Sequence, residues 1–309
     1  GGDGAMTPTV DVYYGDAWEL APTLEPQSID CIVTSPPYWG LRDYGHPGQF
    51  GLERTPQEYV AKLVDLFARL RPALKDEGTV WLNLGDSYAS DIKGSGGHSA
   101  KQVSNAGSRY APRRYDPGLK PKDLCGIPWR VAFALQEDGW YLRSDIIWHK
   151  PNPMPESVTD RPTKAHEYVF LLAKSERYYF DQEAVREPLD GPLHAPGNKP
   201  AFGDVLRNDF RPERMGVVWG NPAGRNIRTV WTITTKPYSG AHFATMPPDL
   251  AERCIKAGCP EGGTVLDPFV GSGTTLYVAR KLGRNSIGFE LNEDYRPLIE
   301  DRLKQGVLL

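Results

Sequence analysis

Cysteine is scarce in this sequence, and its arrangement excludes two kinds of stabilising site. The 309-residue chain has four cysteines, Cys31, Cys125, Cys254 and Cys259. They show neither the paired spacing of a zinc site nor the density of a disulfide scaffold, so we expect reduced thiols. The sequence therefore predicts no structural metal.

Long apolar runs are also missing. No stretch has the length needed to cross a bilayer, and no basic segment followed by an apolar one marks a signal peptide. We therefore expect a cytoplasmic protein. Residues 1–5 precede the first methionine, Met6, and are left outside the predicted fold.

Positive charge is not in excess overall, because the formal net charge is −3. Two segments depart from that average. Between Lys101 and Lys122 six basic residues stand against one acid, and between Arg207 and Arg228 five stand against two. Segments of this kind are usually solvated loops. Contact with nucleic acid becomes the better interpretation only if the chemistry elsewhere in the chain supports it.

Hydrophobic periodicity predicts alternating strands and helices. Short apolar runs bounded by turn residues predict strands at 10–14, 29–34, 79–84, 145–148, 166–173, 264–267 and 286–290, with 177–180 closing a hairpin. Apolar residues at three- and four-residue spacing predict helices at 56–74, 128–137, 247–257 and 274–282, and a last helix ending near 304. This alternation favours an α/β fold with a doubly wound, mixed sheet.

The same pattern divides the chain into one core and an insertion. We predict that residues 6–181 and 238–309 form the two halves of the core. Within the first half, the Gly-rich stretch 87–123 is predicted to be a partly mobile loop. Periodicity is lost from 182 to 237, where proline, glycine and arginine are frequent, and this range is the candidate recognition segment.

A glycine-containing loop, Asp267–Thr275, joins a predicted strand to a predicted helix. Its two glycines allow a ligand to approach the backbone, but it lacks the lysine of a P-loop and the third glycine of a dinucleotide fingerprint. Glu290 ends the next strand, where an acid can accept hydrogen bonds from both ribose hydroxyls. Together these features predict a site for a nucleoside cofactor.

A second loop, Ser35-Pro36-Pro37-Tyr38, directly follows the predicted strand 29–34. Two prolines alone would indicate a rigid turn, but the position after a buried strand is typical of active-site loops in open α/β sheets. The Ser35 hydroxyl and the Pro36 carbonyl could accept hydrogen bonds from an amino group, and the Tyr38 ring could stack on a base.

With these two loops in this order, the chain resembles the β-type amino-specific DNA methyltransferases, in which the catalytic tetrapeptide precedes the cofactor loop. Further matching segments are Gly15-Asp16-Ala17, Trp39 to Gly45, Asn83 to Tyr88, Trp148 to Pro153, His166-Glu167-Tyr168 and His242 to Pro247. The resemblance covers nearly the whole chain. It implies a Rossmann-like methyltransferase fold with an inserted DNA-recognition segment.

The resemblance implies S-adenosylmethionine as cofactor and double-stranded DNA as partner. Its implied cofactor-binding residues are Asp16, His242, Phe243, Pro247, Asp267, Pro268, Phe269, Gly271, Ser272, Gly273, Thr274 and Glu290. Its implied catalytic residues are Ser35, Pro36, Pro37 and Tyr38. DNA contacts are then expected at Trp39, Arg42, Arg109, Arg113, Arg114, Arg211, Arg214, Arg225 and Arg228. Asp16 could equally cap a turn, and Phe243 could be a core residue.

In the family that the chain resembles, a tetrapeptide beginning with serine usually accompanies methylation of cytosine N4, whereas Asp or Asn usually accompanies adenine N6. We therefore expect site-specific transfer to N4 of a flipped-out cytosine, without a covalent enzyme intermediate. Adenine N6 methylation and a non-catalytic DNA-binding relative stay open as alternatives. The basic segments disfavour a methyltransferase that acts on protein or small molecules.

Carbon-5 methylation of cytosine is disfavoured, because the enzymes that perform it carry their nucleophile in a Pro-Cys dipeptide and no cysteine here follows a proline. The expected enzyme is prokaryotic or phage-encoded and acts as a monomer or homodimer. It could accompany a cognate restriction endonuclease without touching it.

Overall fold

The structure is a computed structural model that describes residues 7–40, 45–46, 48–89, 118–188, 223–235 and 246–305. The chain forms two compact units, one comprising Gly1–Phe180 with Thr229–Leu309 and the other Asp181–Arg228. In the smaller unit the described residues include a short bridge between Glu187 and Arg225. Most of the predicted recognition segment and of the predicted loop 87–123 lies outside the described residues.

Eight described strands form a single sheet in the larger unit. They are β1 (Val10–Tyr14), β2 (Ile29–Thr34), β3 (Leu74–Leu84), β4 (Tyr141–His149), β5 (His166–Ala173), β6 (Val230–Thr232), β7 (Thr264–Asp267) and β8 (Asn285–Glu290). The described helices are α1 (Ala17–Leu20), α2 (Pro56–Leu70), α3 (Ile127–Glu137), α4 (Pro248–Gly258), α5 (Thr274–Lys281) and α6 (Arg296–Lys304).

The sheet is mixed, with strand order β1-β8-β7-β2-β3-β5-β4-β6. Strand β5 runs antiparallel to both its neighbours, whereas the other described pairings are parallel. Because β2, β7 and β8 are parallel neighbours, their carboxyl ends meet at one edge of the sheet. The predicted α/β fold with a doubly wound, mixed sheet is confirmed.

Helices cover both faces of the sheet, as the alternation of side chains along its strands requires. Ile32 and Val80 belong to the buried cluster that includes the apolar face of α2. Their chain neighbours Cys31 and Thr79 face the other way, toward Gly258 at the end of α4. Strands β2 and β3 are therefore buried on both sides where they pair, which explains the largely apolar sequences at 29–34 and 79–84.

Helix α2 shows how local sequence sets the limits of an element. Thr55 caps its start by accepting a hydrogen bond from the Glu58 amide at 3.2 Å, and Pro56 occupies the first turn, where no backbone donor is lost. The helix ends at Leu70, four residues before the predicted limit of 74. Pro72 accounts for this early end, because Arg71 still has helical backbone but a proline has no N–H to continue the ladder of helical hydrogen bonds.

Two other predictions differ from the structure in whether a strand is present. The predicted hairpin strand at 177–180 is wrong, because the structure assigns no strand to these residues. No strand is predicted between 182 and 237, yet the structure has β6, where buried Trp231 lies 6.3 Å from Trp81 between ring centroids. A three-residue strand with one buried residue is too short to show a period-two pattern.

Gly258 offers a test of how closely α4 packs on the sheet. An added Cβ there would lie 2.2 Å from Trp81 Nε1 and 2.7 Å from Thr79 Oγ1. We expect Gly258→Ala to lower the free energy of unfolding by about 1–3 kcal/mol, because the buried neighbours must shift. Urea unfolding would measure this loss. Glu261→Ala at an exposed position is the control and should change stability by less than about 0.5 kcal/mol; equal losses in both variants would contradict the close packing.

Candidate functional site

The candidate site lies at the carboxyl ends of β2, β7 and β8. The two loops singled out from the sequence leave the sheet here, one after Thr34 and the other after Asp267. Glu290 ends β8 beside them. Strands β2 and β7 are hydrogen-bonded neighbours, so residues far apart in the sequence meet at one edge.

A buried hydrogen bond connects the two loops. Thr34 Oγ1 donates to Asp267 Oδ1 at 2.7 Å, and both side chains are buried. The same carboxylate oxygen accepts the backbone N–H of Phe269 at 3.0 Å, which fixes the first turn of the second loop. One carboxylate therefore sets the position of both loops.

The glycine-containing loop folds back onto Glu290. Gly271 has a φ of +55° and donates its N–H to Glu290 Oε2 at 2.9 Å. Gly273 precedes α5 and has a φ of +84°. This is the left-handed backbone conformation, which residues with a side chain rarely adopt. The other Glu290 oxygen, Oε1, accepts the Asn292 amide at 2.9 Å. The two carboxylate oxygens thus accept these two backbone donors separately, and a carboxylate can accept about four hydrogen bonds in all.

Burial changes the proton affinity of both acids at this edge. It raises the pKa of Asp267 to about 6, although hydrogen bonds from Thr34, Phe269 and Thr275 oppose the rise. Burial likewise raises the pKa of Glu290 to about 7, against the opposing effect of the backbone donors of Asn292 and Gly271. Removal from water disfavours the charged form, and the hydrogen bonds recover only part of that cost.

The loop Ser35–Tyr38 is held by contacts from two other segments. Tyr59 of α2 donates its hydroxyl hydrogen to the Pro37 carbonyl at 2.8 Å. Gly51 lies so close that an added Cβ would be 2.8 Å from the Tyr38 carbonyl oxygen. The backbone conformation of this loop is therefore fixed by packing as well as by its two prolines.

The Tyr38 hydroxyl lies within a group of polar side chains that the sequence did not single out individually. It donates to Glu167 Oε2 at 2.6 Å, and the Ser35 hydroxyl donates to it at 3.3 Å. Asn83 and Lys150 also contact Glu167. Glu167, Asn83 and Lys150 all lie in segments that carry the family resemblance, and this was the signal available for finding them.

The remaining predicted cofactor residues are placed as follows. Asp16 caps α1 by accepting the Trp18 amide at 2.9 Å, which is the structural alternative raised for it. The Phe269 ring packs edge-to-face on Phe50, with centroids 5.1 Å apart. Pro268, Ser272 and Thr274 lie in the glycine-containing loop or at the start of α5, and Pro247 precedes α4. His242 and Phe243 lie outside the described residues.

Three of the nine predicted DNA contacts, Trp39, Arg225 and Arg228, lie among the described residues. Trp39 is buried, and its indole N–H donates to the Glu53 carbonyl at 2.9 Å, so it supports the loop and offers no surface for DNA. Arg225 and Arg228 both form ion pairs with Glu187 within the smaller unit. The other candidates lie outside the described residues, namely Arg42, Arg109, Arg113, Arg114, Arg211 and Arg214.

Two further features are absent from the described ranges, a metal-binding cluster and a membrane-spanning helix. These residues contain no group of three or more His, Cys, Asp or Glu side chains that could hold a metal ion. None of the described helices is both long and apolar enough to cross a membrane.

Known proteins resemble this chain over most of its length. The profile of a DNA methylase family matches residues 29–301. The chain is 49% identical over 295 residues to the type II methyltransferase M.SmaI of Serratia marcescens, covering 94% of this chain and 90% of that protein. It is 47% identical over 294 residues to the type II methyltransferase M.Cfr9I of Citrobacter freundii, covering 95% and 87%.

Solved structures share the fold. The PvuII DNA methyltransferase, described as cytosine-N4-specific, superposes with a TM-score of 0.64 at 20% identity and covers 96% of this chain and 87% of that one. A putative DNA modification methylase from Thermus thermophilus, in complex with S-adenosyl-L-methionine, superposes with a TM-score of 0.59 at 21% identity and covers 97% and 95%.

Glu290 should make the stability of the protein depend on pH. The carboxyl titrates near 4.5 when unfolded and near 7 when folded, so the folded chain retains a proton between these values. That stabilising contribution is complete at low pH and is lost as the pH rises through about 7. The two pKa values differ by an amount that corresponds to about 3 kcal/mol.

The measurement compares the wild type with Glu290→Gln by urea unfolding at several pH values. The stability of the wild type relative to the variant should fall by about 3 kcal/mol between pH 4 and 8. Glu300→Gln, at an exposed position of α6, is the matched control for replacing a carboxylate by an amide. A flat profile for Glu290→Gln would mean that its folded pKa is not raised.

Proposed function

The chain belongs to the N6/N4 DNA methylase family, and on that premise we propose that it transfers a methyl group from S-adenosylmethionine to N4 of cytosine in DNA. The observation that carries the proposal is the meeting of Ser35–Tyr38 and the glycine-containing loop at one sheet edge, joined by Thr34 and Asp267. This meeting supports a site in which amino-group acceptors would lie beside a bound nucleoside cofactor. The choice of cytosine N4 as the target rests on serine at the first position of the tetrapeptide, Ser35. The PvuII enzyme, described as cytosine-N4-specific, supports that choice.

The residues at the carboxyl edge fit an adenosyl cofactor. The two oxygens of Glu290 accept the Gly271 and Asn292 N–H groups separately, and a carboxylate with further acceptor capacity suits the hydroxyls of a ribose. Gly271 and Gly273 leave the backbone of the loop open to close approach. Bound there, S-adenosylmethionine supplies a methyl group on a positively charged sulfur. Asp267, which accepts the Phe269 N–H, would keep the loop in the conformation that receives the cofactor.

Ser35 and Pro36 would act on the target amino group. The lone pair of an exocyclic amino nitrogen is delocalised into the base, so the nitrogen is a weak nucleophile. Acceptors placed against its hydrogens favour the form in which the lone pair is available, and they do so most strongly in the transition state. Tyr38 would stack on the base after it leaves the duplex.

The cysteines support a mechanism without a covalent enzyme intermediate. All four are buried, and burial raises the pKa of Cys31, Cys254 and Cys259 well above that of a reactive thiol. A thiolate nucleophile of the kind used in carbon-5 methylation needs the opposite environment. Direct transfer to nitrogen needs only positioning and electrostatic support.

The relatives also suggest a biological setting. M.SmaI and M.Cfr9I are named type II methyltransferases. We therefore propose that this enzyme modifies a specific sequence within a restriction–modification system, where a restriction endonuclease is a genetic partner. A monomer or a homodimer is the proposed working state. The predicted recognition segment 182–237 and the basic segment 101–122 are the proposed DNA-binding regions.

Nucleoside analysis tests the proposed reaction. Plasmid DNA incubated with enzyme and S-adenosylmethionine, then digested and separated by chromatography, should contain N4-methyldeoxycytidine. Wild-type enzyme without S-adenosylmethionine is the control. N6-methyldeoxyadenosine in its place would overturn the choice of base while leaving the reaction class intact. The absence of any methylated nucleoside would favour a non-catalytic DNA-binding protein.

Ser35→Ala tests the proposed acceptor. We expect the single-turnover rate of methyl transfer to fall by about 100-fold, because the hydroxyl acts mainly in the transition state. Cofactor affinity, measured by calorimetry, should change by less than about twofold. Ser28→Ala is the matched control, since Ser28 lies at the other end of the same strand. A parallel loss of rate and cofactor affinity in Ser35→Ala would contradict the proposed role.

A further inference from the structure

The hydroxyl of Tyr38 has more polar neighbours than one hydrogen can serve. Glu167 Oε2 lies 2.6 Å away, while Asn83 Oδ1 and Ser35 Oγ each lie at 3.3 Å. A hydrogen bond to a carboxylate is shorter and stronger than one to a neutral acceptor. The Tyr38 hydrogen therefore points to Glu167, and its oxygen is left to accept the hydrogen of Ser35.

Glu167 is itself held in place from two sides. Lys150 Nζ donates to Oε1 and forms an ion pair with it, and the Asn83 amide donates to Oε2 at 3.1 Å. The second amide hydrogen of Asn83 goes to the Tyr168 carbonyl at 3.1 Å, which fixes the orientation of that amide. Glu167 and Lys150 are largely buried, with side chains 13% and 20% exposed. Buried charges in such an arrangement hold one geometry.

The backbone brings these groups together. Strands β4 and β5 pair antiparallel, with Trp148 opposite Glu167 and His149 opposite His166. The Lys150 N–H then donates to the Ala165 carbonyl at 2.8 Å, which brings Lys150 next to Glu167. The ammonium group also lies 4.4 Å from the centre of the Trp148 ring.

The ring of Tyr38 is confined by a glycine. A Cβ added to Gly85 would lie 2.6 Å from Tyr38 Cε2 and 2.9 Å from Cδ2. Only a residue without a side chain lets the ring occupy this position. Gly85 fixes where the ring lies, and Glu167 fixes the hydroxyl at its far end.

We propose that Glu167, supported by Lys150, is a positioning residue that acts on the reaction through Tyr38. Its hydrogen bond orients the Tyr38 ring for stacking and makes the tyrosine oxygen the acceptor for Ser35. The Ser35 hydrogen is then turned toward Tyr38, and the lone pairs of Ser35 face the target amino group. This inference rests on the proposed function. Burial and the Glu167 carboxylate raise the pKa of Tyr38, so the hydroxyl stays protonated as a donor.

A double-mutant cycle between Glu167 and Tyr38 tests the inference. Single-turnover transfer of tritiated methyl from S-adenosylmethionine to plasmid DNA would be measured for the wild type, Glu167→Gln, Tyr38→Phe and the double variant. We expect Glu167→Gln to slow transfer about tenfold when Tyr38 is present. It should slow transfer less than about twofold in the Tyr38→Phe background, because the hydroxyl through which it acts is gone.

Controls separate this role from a structural one. Glu176→Gln, at an exposed position just beyond the other end of β5, should leave the rate unchanged. Cofactor affinity in Glu167→Gln should stay within about twofold of the wild type. If Glu167→Gln alone destabilises the chain because Lys150 loses its counter-ion, the pair Lys150→Gln/Glu167→Gln removes both charges and gives the same comparison. An equal loss in the wild-type and Tyr38→Phe backgrounds, or no loss in either, would overturn the inference.

A second measurement keeps this inference distinct from the proposed function. Protein labelled with 3-fluorotyrosine would be studied by ¹⁹F NMR, with the Tyr38 signal assigned by its absence in Tyr38→Phe. We expect Glu167→Gln to shift that signal and Glu176→Gln to leave it in place. If the wild type methylates no DNA, the proposed function fails, but the shift still tests the contact. An unchanged signal would overturn the positioning role whatever the activity.

Discussion

The hydrogen bond from Thr34 to Asp267 is the contact on which the candidate site depends. The two residues are 233 positions apart in sequence, and they meet because β2 and β7 are parallel neighbours that end at the same edge. Their side chains are buried, so neither finds a partner in water. The bond therefore fixes the distance between the loop that would act on the base and the loop that would hold the cofactor. A reaction that proceeds by positioning requires this kind of rigidity.

Burying acids at this edge costs desolvation free energy, which hydrogen bonds from the surrounding backbone offset only in part. Asp267 and Glu290 each accept backbone N–H groups, yet the pKa of each remains raised by removal from water. Such a site is less stable when empty than a purely apolar one of the same shape. The advantage for binding is that the carboxylate acceptors are already aligned. A ligand with matching hydroxyls would therefore not lose free energy in ordering them.

Much of the fold could be predicted from the sequence, because buried parallel strands and amphipathic helices have clear patterns. Strands β1, β2, β5 and β7 have the predicted limits. Strand β3 begins at Leu74, before the predicted start at 79. The prediction missed its first residues because Lys75, Asp76 and Glu77 interrupt the apolar run. The loops of the site were also evident as motifs. The role of Glu167 was not evident from the sequence, because its contact with Tyr38 depends on the register in which β3, β5 and β4 pair. No local sequence pattern predicts that register.

Strand β5 runs against its neighbours, and this single reversal determines which parts of the chain reach the site. A parallel strand presents its last residues at the carboxyl edge, whereas β5 presents its first, His166 and Glu167. The connection between β4 and β5, residues 150–165, therefore starts and finishes at the same edge of the sheet. Insertions or deletions within it leave both anchor points in place. This connection can therefore vary in length and sequence among related enzymes, and so can the surface that it presents to a substrate. The pairing of the strands need not change.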